Sequence, residues 1–149
     1  MEAPLDIDTV LVPVDGSDES VEAAGYAAAV AAEYEASVHA IYVLGETVAR
    51  AVETGAVDPE DMAAEGRAQI DTVEAATADA DVPLSHSVAY GFSTHRKLVH
   101  PGNVILDAAE QIDADFLVIP RESNHRPGDV LEKAAEHVLL YASQPVLSV

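Results

Sequence analysis

A near-continuous apolar run, Thr9–Val14 (TVLVPV), is cut off by Asp15, Gly16 and Ser17 and followed by an alanine-rich stretch with helical spacing. This pairing recurs down the chain and constrains the fold more than any other feature. A strand without polar alternation is buried on both faces, as in parallel sheets covered by helices. Ser17 or Asp18 can cap the first helix, with Glu19 and Glu22 near its positive end. Val21, Ala24, Ala28 and Ala31 give that helix an inward face of small residues. A second strand is predicted at 38–43, and residues 44–57 read as a loop or frayed helix. Asp58 then caps a helix with Pro59 at its first position and Met62, Gly66, Ile70 and Val73 inward. Residues 82–90 form a third strand, in which Leu84, His86, Val88 and Tyr90 alternate with Ser85, Ser87 and Ala89, the pattern of a half-exposed edge. Pro101 opens a helix that turns Ile105, Ala108, Ala109 and Ile112 inward. Phe116–Ile119 is a fourth strand. Asp129 to Glu132 reads as a capping box for a last helix carrying Leu131, Ala135, Val138 and Ala142, and residues 145–149 close the chain as a strand. Strict alternation of five strands and four helices, joined by right-handed crossovers, gives a doubly wound α/β sheet with helices on both faces.

The 149 residues fit one domain, 1–149. No run of 18 apolar residues occurs, so no membrane span is expected. The acidic start has no basic region before an apolar stretch, so a secretory signal is not expected and the cytoplasm is the expected location. There is no cysteine for disulfides or thiolate zinc sites. Charge restricts the partners. Acidic residues number 27 against 7 Lys plus Arg, a net charge of −20, yet 49% of the residues are hydrophobic. A folded chain of this composition repels itself at low ionic strength. Molar salt shortens the screening length to about 3 Å and removes most of that repulsion. With lysine only at 97 and 133, the composition resembles that of salt-adapted proteins. It disfavours nucleic acid, whose phosphates need a basic face.

The segment VLVPVDGSDES, the second strand ending in Ile41, Tyr42 and Val43, and the His100-Pro101 helix start occur in order. They are followed by ADFLVI over residues 114–119, AEHVL over 135–139 and QPVL over 144–147. This ordered set resembles the universal stress protein family across nearly the whole chain. The resemblance implies a five-stranded parallel sheet in the order 3-2-1-4-5 and a homodimer made through the C-terminal strand. It also implies an adenine-nucleotide crevice, with Asp15 on the base side, Pro13 and Val14 beside it, and Val43 lining the base pocket. The crevice belongs at the carboxyl ends of the first and fourth strands, where strand order reverses. Asp15 can equally be a turn residue bonded to the Gly16 and Ser17 amides.

ATP-binding members resembling this chain carry Gly-x-x-Gly, nine residues, then Gly-Ser or Gly-Thr. Glycines let backbone N–H groups approach phosphate closely. Here Pro120 and Ser123 stand at the first two glycines, and Glu132-Lys133 replaces the final pair. Proline has no N–H, and Glu132 places a negative side chain where phosphate would sit. A second departure adds the segment FSTHRKLV at 92–99. Five of the seven basic residues, Arg96, Lys97, Arg121, Arg126 and Lys133, fall in or just beyond two loops at the carboxyl end of the sheet. They offer a site for an anionic small molecule or an acidic protein partner. Alternatively they pair with Glu122, Asp129 and Glu132, contacts of about 0–1 kcal/mol each. His95, His100 and His125 lack the spacing of a metal set, and no Gly-x-Ser-x-Gly elbow marks a nucleophile. Neither catalytic residues nor a metal is assigned. The first expectation is therefore a regulatory or protective domain without the usual ATP loop. The alternative is an ATP- or AMP-binding protein with slow phosphohydrolase activity.

Overall fold

The computed structural model describes residues 6–15, 18–44, 54–56, 58–90, 101–120 and 130–149. Five strands, β1 (Thr9–Val14), β2 (Ser37–Leu44), β3 (Leu84–Tyr90), β4 (Phe116–Ile119) and β5 (Val146–Ser148), form one sheet in the order β3-β2-β1-β4-β5. All pairings are parallel. The helices are α1 (Asp18–Tyr34), α2 (Pro59–Thr77), α3 (Pro101–Gln111) and α4 (Val130–Tyr141), with a 3₁₀ turn at Ala78–Ala80. Among the described residues, no helix is long and apolar enough to cross a membrane.

The two faces of the sheet sort by strand parity. Val10, Val12 and Val14 of β1 and Val38, Ala40 and Tyr42 of β2 pack with α1 and α2 residues, among them Ala24, Ala27, Ile70 and Val73. Leu11, Ile41, Val43, Leu117 and Ile119 pack on the other face with Ile105 and Ala109 of α3 and Ala135 and Val138 of α4. The inward face of α1 is broader than predicted. Ser20, Ala23, Ala24, Ala27, Ala28 and Ala31 are buried, while Val21 is half-buried. A face of alanines lets the helix lie close to the sheet without side chains to interlock. Asp58 caps α2 as expected, its Oδ1 accepting from the Glu60 N–H at 3.0 Å. The third strand is an edge, but its alternation is not the predicted one. Leu84 packs against the core near Ile70 and Val73, whereas Val88 is 55% exposed. Val88 is level with buried Tyr42 of β2, yet stays exposed because it sits on the outermost strand.

α3 meets α4 at close range. Gly102 is buried, and a Cβ built there would lie 2.5 to 2.8 Å from Cδ2, Cβ and Cγ of His137. His137 Nε2 donates to Asn103 Oδ1 at 2.7 Å, and its ring lies 4.7 Å from that of Tyr141.

At the opposite end of the strands, three acids occupy left-handed backbone: Glu35 (φ 55°), Asp81 (φ 52°) and Asp113 (φ 53°). Glu35 follows α1, and the Ala36 N–H reaches back to the Ala31 carbonyl at 2.8 Å. Glycine is the favoured residue in this helix-terminating position. A carboxylate there also faces the negative end of the helix. Replacing Glu35 with glycine is expected to raise unfolding stability by about 1 kcal/mol, measured as the urea midpoint.

Candidate functional site

The ladder between β1 and β4 stops short of their carboxyl ends, and backbone chemistry explains where. In β1 the Asp8 carbonyl accepts from Ser37 N–H and the Thr9 carbonyl from Asp115 N–H, each at 2.9 Å. Even-numbered residues therefore direct their backbone groups to β2 and odd-numbered ones to β4. Pro13 falls on the β4 side and has no N–H to offer. Pairing between β1 and β2 runs the full six positions, Thr9↔Ser37 to Val14↔Tyr42. Pairing between β1 and β4 covers only Val10↔Phe116 and Leu11↔Leu117, stopping before Pro13. At the lower end Asp115 Oδ2 accepts from the N–H groups of Asp8 (2.9 Å) and Thr9 (3.1 Å), pinning β1 beside the start of β4. The pair is thus clamped below and released above, at the point where strand order reverses.

Asp15 stands in that opening, half-buried. One step past Val14↔Tyr42, it is level with Val43. Val43 is 2% exposed on the α3–α4 face, and Pro13, Val14, Ile119 and Pro120 are buried around the same end of the sheet. The Asp15 N–H donates to Ser20 Oγ at 3.3 Å, and Ser20 is fully buried in the first turn of α1. This bond fixes the peptide carrying the carboxylate. Sequence reasoning passed over Ser20 because a serine near a helix start reads as a cap. Its complete burial within an alanine-rich face is the signal of a different task.

The structure places Pro13, Val14, Asp15 and Val43 at one end of the sheet, with Val14 on the α1–α2 face and Val43 on the opposite one. Arg96, Lys97, Arg121 and Arg126 lie outside the described residues, as do Ser123 and Asp129. Lys133 lies in α4, which begins at Val130. Pro120 directly follows β4 and is buried. Among the described residues, no group of three or more His, Asp or Glu is arranged to hold a metal ion.

The order of the strands, with its reversal beside the first strand, defines a doubly wound α/β domain. The profile of the Universal stress protein family matches residues 6–149, and the chain belongs to that family. No curated relative matches the chain significantly. Solved structures share the fold. Universal stress protein UspA from Lactobacillus plantarum is 24% identical, with a TM-score of 0.67 over 96% of this chain and 97% of its own. The Archaeoglobus fulgidus universal stress protein in complex with dAMP is 22% identical, with a TM-score of 0.64 over 95% of this chain and 96% of its own. A universal stress protein in complex with cAMP is 21% identical, with a TM-score of 0.63 over 97% of each chain.

Proposed function

We propose that this chain is a regulatory or protective universal stress-type domain. Its crevice retains the base side of the family's nucleotide site but lacks the usual ATP phosphate loop. The observation that carries this reading is the contrast between the two sides. Asp15 is anchored through Ser20 and level with buried Val43, whereas Pro120, with no N–H, ends β4 where phosphate would be cradled. Such a crevice suits an anionic ligand with little phosphate. The neighbours in complex with dAMP and cAMP hold adenine nucleotides with a single phosphate. Those complexes favour the second reading, an ATP- or AMP-binding protein with slow phosphohydrolase activity, in which Arg96, Lys97, Arg121 and Arg126 hold the phosphates. An acidic protein partner is a third occupant for the same basic loops.

The domain works as a cytoplasmic protein in high salt, a reading supported by its net charge of −20 and its two lysines. A homodimer through β5 is supported by the position of that strand at the sheet edge and by the exposure of nearby Leu140 (69%) and Tyr141 (67%).

Calorimetric titration with ATP and with AMP in molar KCl tests the crevice. ATP is expected to bind no more tightly than AMP, and Asp15→Ala is expected to abolish AMP binding. ATP binding at least ten-fold tighter than AMP, lost in Asp15→Ala, would sink the first reading in favour of the second. Absence of heat with either nucleotide would remove the adenine site from both.

A further inference from the structure

A second polar cluster lies on the α3–α4 face at the β3 edge, away from the Asp15 crevice. His39 of β2 is half-buried, with Nδ1 2.7 Å from Ser85 Oγ and Nε2 2.9 Å from Ser87 Oγ. The register His39↔Ser85 and Ile41↔Ser87 places two serines of β3 astride one imidazole on a single face of the sheet. A neutral imidazole carries one N–H and one lone pair. If one serine accepts from the ring, the other donates its O–H to it. Burial, and secondarily the neighbouring His86, push the His39 pKa below its ordinary 6.5. The proton-accepting form therefore prevails at neutral pH. The residue beside His39 on β1 is the apolar Leu11, and Asp107 of α3 lines the adjoining groove.

The two serines differ in setting: Ser85 is exposed, whereas Ser87 is half-buried. Ser87 lines a groove of about 290 Å³ with Ile41, Val88, Asp107, Ala108 and Gln111. Ser85 lies lower on the strand. The apolar wall accepts an alkyl group, Gln111 offers an amide donor, and Asp107 disfavours anions.

We propose that Ser87 is a reactive serine, with His39 as its base and Ser85 fixing the ring, which takes acyl groups from small uncharged esters. With the His39 proton on Nδ1 and directed to Ser85, Nε2 accepts from Ser87. Ser87 Oγ adds to the ester carbonyl carbon as its proton passes to Nε2. The bond from that carbon to the alkoxy oxygen then breaks, and the alcohol leaves with the proton from Nε2. Water repeats the sequence on the acyl-serine, releasing a carboxylic acid and restoring Ser87. This site is independent of any nucleotide in the crevice.

The test is to incubate the full chain in molar KCl with p-nitrophenyl acetate and locate the acetyl group by peptide mass. Acetylation is expected at Ser87 ahead of all other serines, with a pH midpoint below the 6.5 of a free imidazole. His39→Gln is expected to slow it about 100-fold, and Ser85→Ala to slow it less. Circular dichroism checks that each variant is folded. Labelling of wild-type Ser87 no faster than that of other serines would overturn the proposal. So would an unchanged rate in folded His39→Gln. The wild-type measurement decides even if a variant fails to fold.

Discussion

Raising KCl from 0.1 to 2 M is expected to lift the melting temperature of this protein by about 10 °C, roughly 3 kcal/mol for a domain of this size. The chain carries −20 with only seven Lys and Arg to offset it. Its acids are spread along the whole sequence, so compaction brings many like charges within a low-salt screening length of about 10 Å. Unfolding relieves that repulsion, and molar salt removes it without unfolding. Differential scanning calorimetry across the salt series is the measurement, with sorbitol at matched osmolality as the control for general exclusion effects. A melting temperature that changes by less than about 3 °C with KCl would mean that the acids are tolerated for another reason. The high-salt assignment would then fall.

Gly102→Ala is expected to destabilise the protein by about 2 kcal/mol, an unusual cost for adding one methyl group to a helix. Alanine is the better helix former, so propensity alone predicts a gain of nearly 1 kcal/mol. Packing reverses the sign. The new Cβ would stand 2.7 Å from His137 Cβ and 2.5 Å from its Cδ2. Cβ of His137 is fixed to the backbone of α4 and cannot swing aside. α3 and α4 must separate, and the Asn103–His137 hydrogen bond is strained with them. A double-mutant cycle with His137→Ala isolates this contact. The Gly102→Ala penalty, read from urea midpoints, is expected to shrink by more than half in the His137→Ala background. An equal penalty in both backgrounds would place the cost elsewhere.

The architecture was legible in the sequence because its signals are local. Thr9–Val14 and Phe116–Ile119 are apolar on both faces, and Asp58-Pro59 is a helix start that needs no distant partner. The family resemblance singled out Asp15 and Val43, which lie at the same end of adjacent strands. Other features depend on which strands and helices meet. That Pro13 points its missing N–H at β4 rather than β2 follows only from the parity of the hydrogen bonds at Asp8 and Thr9. The bond from Asp15 to Ser20 depends on how the start of α1 sits beside the end of β1. His39 and the serines of β3 are more than forty positions apart and meet only through the register of an edge strand. Val88 is apolar like Leu84, and its exposure follows from its place on the edge strand, beside buried Tyr42. Gly102 reads as an ordinary glycine until His137 arrives beside it.

Pro13 gives the crevice a cause in the main chain. The gap between β1 and β4 begins at an amide that cannot donate, so its width does not depend on the side chains that line it. Those side chains can change while the aperture persists. Ligand preference in a domain built this way is a matter of furnishing, and the room stays open when one ligand is given up for another.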